Sequence, residues 1–124
     1  MLKPKRTIKQ LTLNIEEFIY SLQELTAEYT EEEIYEDKFK QAFLERQIEK
    51  IGEAVSKIDK LDKDILCRAY DSKSYWENVK STRHIIVHDY FEIRTDILYE
   101  ISTKDLKKLL EKILTVRELT EKTD

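Results

Sequence analysis

Apolar residues recur every three or four positions along most of this chain, and charged residues fill the positions between them. This spacing is typical of amphipathic helices that bury one face. The first such segment is predicted to end near Tyr29, and its apolar stripe consists of Ile8, Leu11, Ile15, Phe18, Ile19, Leu22 and Leu25. The second and longest segment is predicted to run to about Asp59, and its apolar positions are Phe39, Phe43, Leu44, Ile48, Ile51, Val55 and Ile58.

The second segment has two candidate starts and one unusual interior residue. Thr30 and Glu33 have the spacing of a capping box, in which each side chain caps the other residue's backbone, and Asp37 is an alternative N-cap. Gly52, the only glycine in the chain, lies in the middle of this helix. A glycine there destabilises a helix by roughly 1 kcal/mol relative to alanine. We therefore expect that another helix crosses closely at Gly52.

The second half of the chain predicts one short helix and two long ones. A weak pattern over residues 60–74 predicts the short helix. The third long segment begins at residue 74 or 75, and the last one begins near Thr95 and continues through Val116. Residues 102–103 are a candidate break in the last segment, and Ser102 with Asp105 is a candidate capping pair.

Composition supports a single all-α domain. Only one Gly and one Pro occur, and 39% of the residues are charged, which favours long helices over a sheet with its turns. A chain of 124 residues is long enough for one hydrophobic core and too short for two ordinary ones. We predict one domain over residues 1–124, built as an antiparallel bundle of four main helices plus a short helix.

The chain has the character of a soluble cytoplasmic protein. Its single cysteine, Cys67, excludes an internal disulfide framework and favours a reducing compartment. Glu16 and Glu17 interrupt the apolar stretch near the N-terminus, which argues against a signal-peptide core. No apolar run approaches the ~18 residues of a membrane span. We expect no contact with a membrane.

The charge distribution limits where this chain could bind a polyanion such as nucleic acid. The formal net charge is −4 and the pI is about 5.4, so the molecule as a whole does not attract nucleic acid over long distances. The first ten residues are positive through Lys3, Lys5, Arg6 and Lys9, whereas 24–37 carries seven acids and no base. Both are interpreted first as solvated surface. A nucleic-acid site would have to be a local groove, assembled between subunits.

Both histidines of the chain lie in the stretch STRHIIVHDYFEI, residues 81–93. In one unbroken helix, a rotation of about 100° per residue places Arg83 and Tyr90 on one face. His88 then lies about 140° from Arg83, whereas His84 and His88 are neighbours four residues apart. The cluster combines groups that titrate near neutral pH with a fixed cation.

Three interpretations of the cluster stay open on spacing alone. A pair of histidines on a helix can bind a transition metal, but no third protein ligand has a recognised spacing, so no metal is predicted. In a purely structural role, a histidine is buried or caps a helix end and Arg83 pairs with a carboxylate. In a catalytic role, His88 acts as general acid or base and Arg83 stabilises a phosphate, so that an RNA 2′-hydroxyl attacks its adjacent phosphodiester without a metal.

The motif resembles that of a known family. Arg83, four intervening residues, His88, one residue and Tyr90 resemble the signature of the HepT-like toxins in the HEPN superfamily. The sequence ERQIEKIGEAVSKI at 45–58 is similar to a helix of that family, YWENV supplies its tryptophan upstream of the motif, and DILYEISTKDLKKLLEKIL resembles its C-terminal helix. The similarity extends from about Tyr35 to Leu114.

The resemblance implies a homodimeric helical bundle that cleaves RNA rather than DNA, with no metal ion and no cofactor. Two subunits would bring their motifs together in one cleft, with Arg83 and His88 as the catalytic residues. The family commonly has Asn after the motif arginine, where this chain has His84. An auxiliary role of His84 in catalysis, in orienting a partner or in capping stays open beside a purely structural one.

The resemblance also implies a partner and a means of silencing. HepT-like toxins pair with a minimal nucleotidyltransferase antitoxin, which transfers AMP to the motif tyrosine, here Tyr90, in a toxin–antitoxin system of the type VII kind. Added phosphates beside Arg83 would fill the site that the RNA phosphate needs. The alternatives are a catalytically inactive HEPN module that binds a nucleotide or the nucleotidyltransferase, and a plain dimeric scaffold.

Overall fold

The computed structural model describes residues 6–87 and 95–122, and side chains over residues 6–81 and 96–122. All regular structure in these residues is helical and none is strand, which confirms the all-α prediction. The described helices are α1 (Ile8–Glu28), α2 (Glu31–Tyr35), α3 (Lys38–Leu61), α4 (Ile65–Ala69), α5 (Lys73–Val87), α6 (Thr95–Glu100) and α7 (Leu106–Lys122), with a π-helical turn (Ile101–Asp105) between the last two.

Both candidate starts of the second predicted segment are real N-caps. Thr30 and Glu33 form the capping box, and they open the short helix α2. Asp37 then caps α3, because its Oδ1 accepts a hydrogen bond of 2.9 Å from the backbone N–H of Phe39. The structure therefore has two helices where the sequence predicted one, and the described part of the chain has three short helices, α2, α4 and α6, instead of one. Each start satisfies backbone donors that a continuous helix would have paired internally.

The predicted break in the last segment is a widened turn. Ser102 is fully buried, and its hydroxyl donates to the carbonyl of Leu98 at 2.8 Å. Thr103 donates in the same way to the carbonyl of Tyr99 at 2.9 Å. Side-chain hydroxyls that bond the carbonyl four residues back are typical of residues inside a helix. The proposed capping pair of Ser102 with Asp105 is therefore wrong.

The core lies between α1, α3 and α7, with further contributions from the shorter helices and α5. It contains most of the predicted stripe positions of α1 and α3, together with residues of α7. The largest fully buried side chains are Leu11, Ile15, Ile19, Leu22, Ile34, Leu44, Ile58, Leu66, Leu98, Ile113, Val55 and Val116. No helix in the described residues is long and apolar enough to cross a membrane.

The beginning of the α3 stripe departs from this pattern. Phe39 is 89% exposed and Phe43 is 38% exposed, although the sequence pattern grouped both with Leu44 and Ile48 among the apolar positions of this helix. The prediction that these two phenylalanines belong to the apolar face of a core helix is therefore wrong. At about 100° per residue, Phe39 lies about 140° from Leu44 and opposite Ile48, so it belongs to a different side of α3 from the face that packs into the core.

Candidate functional site

The N-terminal end of α5 is fixed before the motif begins. The hydroxyl of Ser72 accepts a hydrogen bond of 3.2 Å from the backbone N–H of Tyr75. Trp76 is 2% exposed, and its indole N–H donates to the carbonyl of Tyr70 at 2.9 Å. A buried tryptophan with its one polar group bonded combines a large apolar contact area with a directional contact. This end of α5 is therefore anchored both in the core and in the preceding loop.

The predicted helix crossing at Gly52 is confirmed. A Cβ atom built on Gly52 would lie 3.2 Å from the carbonyl oxygen of Val79 and 3.5 Å from that of Lys80. The first of these distances is shorter than ordinary van der Waals contact, so the backbones of α3 and α5 approach where α3 has no side chain. Absence of a Cβ atom thus sets the separation of the two helices next to the motif.

An ion-pair network holds the same two helices together. The ammonium of Lys80 lies 3.0 Å from a carboxylate oxygen of Asp59 on α3 and 2.9 Å from one of Glu77 on α5. The hydrogen bond to Glu77 and then that to Asp59 raise the pKa of Lys80 above its ordinary value. Lys80 therefore stays charged at neutral pH and its charge is already compensated.

Arg83 and His84 belong to α5, which extends to Val87. Arg83 follows Val79 by four residues and His84 follows Lys80 by four. In a helix, residues four apart lie on the same face, one turn from each other. The backbone of the motif arginine thus continues the face of α5 that approaches α3.

The other predicted site residues lie beyond these observations. His88 and Tyr90 lie outside the described residues, and so do the side chains of Arg83 and His84. The structure therefore does not test whether the four predicted site side chains lie close together. Their convergence on one pocket stays a prediction.

A groove between α3 and α5 lies beside the motif. It has a volume of 460 Å³ and reaches Ser81, two residues before Arg83. In the part of the chain that the structure describes, Lys57 and Lys60 form no ion pair, while Lys80 is neutralised by its two carboxylates. The groove also has an acidic side chain, Glu53. Its lining residues are Glu53, Ser56, Lys57, Lys60, Glu77, Lys80 and Ser81.

Sequence reasoning did not single out Lys57 and Lys60. They are exposed lysines on a charged helix, and the sequence pattern around them is the same as that of a solvated face. Their position becomes informative only when α5 is packed against α3 and places Lys80 and Ser81 in the same groove. No signal in the sequence separates these two lysines from the other 20 Lys and Arg residues.

An aromatic cluster flanks the start of α5. The ring centroids of Tyr70 and Tyr75 lie 5.1 Å apart, and the ammonium of Lys112 on α7 lies 4.3 Å and 4.8 Å from them. Burial, followed by the negative charge of Asp105, raises the pKa of Tyr75 to about 12. Tyr75 is therefore a neutral phenol at physiological pH, and it packs α5 against α7 through cation–π and edge contacts.

Within residues 6–81 and 96–122, no group of three or more His, Cys, Asp or Glu side chains is arranged to hold a metal ion. The side chains of both histidines lie outside these ranges. The prediction that no metal is bound therefore stays untested.

In the described residues, an all-helical fold holds the anchored helix α5, which carries the motif arginine, Arg83. The profile of the family described as "Ribonuclease HepT-like" matches residues 15–116. This chain belongs to the HepT-like ribonuclease family.

A curated relative aligns with most of this chain. A protein of Methanocaldococcus jannaschii named "Gamma-glutamylcyclotransferase and putative RNase MJ0434" is 29% identical over 118 residues. The aligned region covers 95% of this chain and 51% of the relative, so the chain spans about half the length of that protein. No solved structure matches the chain significantly.

Proposed function

We propose that this chain is a metal-independent RNA endonuclease whose catalytic residues are Arg83 and His88. The observation that carries the proposal is the family match over residues 15–116, which includes the whole motif. The anchored position of the Arg83 backbone on α5 supports it, because electrostatic stabilisation of a transition state requires a preorganised charge.

The proposed reaction is an internal transesterification. His88, in its neutral form, removes the proton from a 2′-hydroxyl as that oxygen attacks the adjacent phosphorus. The bond from phosphorus to the 5′-oxygen breaks, the leaving oxygen takes up a proton from solvent water, and His88 then releases its proton to solvent. The products are a 2′,3′-cyclic phosphate and a 5′-hydroxyl. The Arg83 guanidinium stabilises the charge that develops on the phosphoryl oxygens.

The active unit proposed here is a homodimer with two copies of the motif in one cleft. A cytoplasmic toxin of this kind needs a silencing partner, for which we propose a minimal nucleotidyltransferase. In that step the phenol oxygen of Tyr90 attacks the α-phosphorus of ATP, AMP is attached and pyrophosphate leaves. The modified tyrosine, seven residues after Arg83, would carry negative charge into the phosphate site.

Cleavage of labelled RNA by the purified chain in the presence of EDTA tests the catalytic assignment. We expect His88→Ala and Arg83→Gln each to lower the cleavage rate by about 10²-fold or more, since general acid–base and electrostatic terms have this size. Lys73→Gln, at an exposed position on the same helix, is the matched control. Circular dichroism melts identify variants that fail to fold. Full activity in both folded motif variants would reject the proposal.

The alternative, a catalytically inactive module, predicts a different result in this cleavage assay. In that case the wild-type chain leaves RNA intact but binds ATP or the nucleotidyltransferase. Intact-mass measurement after incubation with the nucleotidyltransferase and ATP tests the silencing step separately. We expect a mass gain in whole AMP units that is absent in Tyr90→Phe and retained in Tyr99→Phe. A gain that persists in Tyr90→Phe would place the modification elsewhere.

A further inference from the structure

The start of α3 exposes apolar side chains that a helix of this composition would normally bury. Phe39 is 89% exposed, Tyr35 is 65% exposed at the end of α2, and Phe43 is 38% exposed one turn after Phe39. Burying a phenylalanine side chain is worth about 1.5–3 kcal/mol. Single exposed apolar residues are ordinary, but neighbouring ones that border a concave surface indicate an interaction site.

These phenylalanines line a groove between α1 and α3 with a volume of 410 Å³, here called the α1–α3 groove. Its apolar side chains are Leu25 from α1 and the two phenylalanines from α3. The spacing of Phe39 and Phe43 by one helical turn, about 6 Å, matches the spacing of apolar side chains on a docked helix. The lining residues are Ser21, Glu24, Leu25, Glu28, Asp37, Phe39, Lys40 and Phe43.

The groove is negatively charged. Its one lining cation, Lys40, is compensated, because its ammonium lies 2.6 Å from Asp37 and 4.2 Å from the ring centroid of Tyr29. Over the described residues, Glu24 and Glu28 form no ion pair, and both are exposed. The adjacent helix α2 adds three further acids in its first turn. The groove therefore combines an apolar surface with an acidic rim.

We propose that the α1–α3 groove binds an amphipathic helix of a partner protein that presents apolar side chains flanked by lysine or arginine. The apolar side chains would cover Phe39 and Phe43, and the basic ones would meet Glu24 and Glu28. Opposite charges across an interface favour encounter and suppress wrong partners. This proposal stands on the groove alone and does not require the chain to cleave RNA.

The acidic charge also argues against two other ligands of the α1–α3 groove, an RNA strand and a second copy of the chain. An RNA strand would bring phosphates against uncompensated carboxylates, which opposes binding. A second copy that docks through the same face would bring the acidic residues of both copies, Glu24 and Glu28 among them, into one interface. Like charges placed together at an interface cost free energy.

The probe is a fluorescent synthetic peptide with leucines on one helical face and lysines on the other, and its control peptide has glutamates in place of the lysines. We expect the full chain to bind only the lysine peptide, measured by anisotropy. Loss of about 1.4 kcal/mol of contact weakens binding tenfold. We therefore expect Phe39→Ala combined with Phe43→Ala to raise the Kd at least tenfold, and Leu114→Ala, an exposed leucine on α7, to leave it within about twofold.

Charge reversal tests the acidic rim. Glu24→Lys combined with Glu28→Lys should weaken binding of the lysine peptide and flatten its dependence on salt, because fewer opposite charges then meet. Phe39 and both glutamates are exposed, so these variants should fold, and circular dichroism melts check this.

Three results would overturn the proposal. The first is a lysine peptide that binds the wild type and the double phenylalanine variant equally, or binds neither. The second is a smaller sedimentation coefficient in the double phenylalanine variant, which would assign the groove to contact between copies of the chain. The third is a loss of RNA binding in that variant without a loss of peptide binding. Unchanged RNA cleavage alongside lost peptide binding supports a separate docking site.

Discussion

Replacing Gly52 by alanine tests the close crossing of α3 and α5 quantitatively. Two opposing terms follow from the structure. Alanine in a helix interior is favoured over glycine by about 1 kcal/mol. The added Cβ atom, however, would lie 3.2 Å from the carbonyl oxygen of Val79, and both atoms belong to helix interiors that cannot shift alone. Overpacking of this kind costs about 1–3 kcal/mol. We therefore expect Gly52→Ala to lower the free energy of unfolding by about 1 kcal/mol.

The matched control is Ala42→Gly in the same helix. Ala42 is exposed, so this variant measures helix propensity without a packing change and should lose about 1 kcal/mol. Urea denaturation followed by far-UV circular dichroism gives both values from the midpoint and slope. If Gly52→Ala gains what Ala42→Gly loses, nothing opposes a Cβ atom at position 52. The reasoning that the missing side chain sets the separation of α3 and α5 would then be refuted.

Three further predictions use other described contacts. Arg117→Met should lower the free energy of unfolding by about 2 kcal/mol in urea denaturation, since it leaves the half-buried Glu16 without its guanidinium at 2.9 Å; an unchanged midpoint would contradict this. Subtracting the ultraviolet titration of Tyr75→Phe from that of the wild type gives the ionisation curve of Tyr75, and its midpoint should lie near pH 12. Because the folded state retains the Tyr75 proton after the unfolded state has lost it near pH 10, this group should cause stability to fall between about pH 10 and pH 12, a loss that is absent in Tyr75→Phe. If the chain cleaves RNA, Lys57→Gln combined with Lys60→Gln should raise KM and leave kcat unchanged. The slope of log affinity against log salt concentration should fall by about 0.7 per lost phosphate contact. Lys107→Gln should change none of these quantities.

Helical periodicity predicted the core helices because packing reinforces it there. The stripe positions of α1 from Leu11 to Leu22 and those of α3 from Leu44 to Ile58 are almost all buried, since each faces another helix. The same stripe gave a wrong answer at Phe39. At about 100° per residue, Phe39 lies on the side of α3 opposite Ile48, so its place among the apolar positions of the segment did not put it on the buried face.

The boundary between α2 and α3 was ambiguous for a related reason. Thr30 and Asp37 are both good N-caps, and their capping energies of about 1 kcal/mol each are too similar to choose between them. The structure uses both, because Ile34 between them is fully buried and holds α2 against the core as a separate turn. A capping motif thus indicates where a helix can begin without indicating where the previous one must end.

Some features of the candidate site could be predicted from nearby residues in the sequence, and others depend on how distant helices pack. The crossing at Gly52 could be predicted, because a glycine inside a long helix destabilises it unless a close contact compensates. The groove with Lys57 and Lys60 could not, since it exists only where α5 lies across α3. The motif itself was recognised as a sequence pattern. The proposed chemistry requires the side chains of Arg83 and His88 to lie close together, which stays a prediction.

The described anchors of α5 all precede the motif: the Trp76 indole in the core, the Val79 carbonyl against Gly52, and the Lys80 ammonium on Asp59. They fix the backbone position of Arg83 because α5 continues without interruption from these residues to Val87. A displacement of α5 by even part of an ångström would move a charge that must be preorganised to stabilise a transition state. If Arg83 is catalytic, substitutions at these anchors should therefore lower kcat while leaving the motif residues chemically intact.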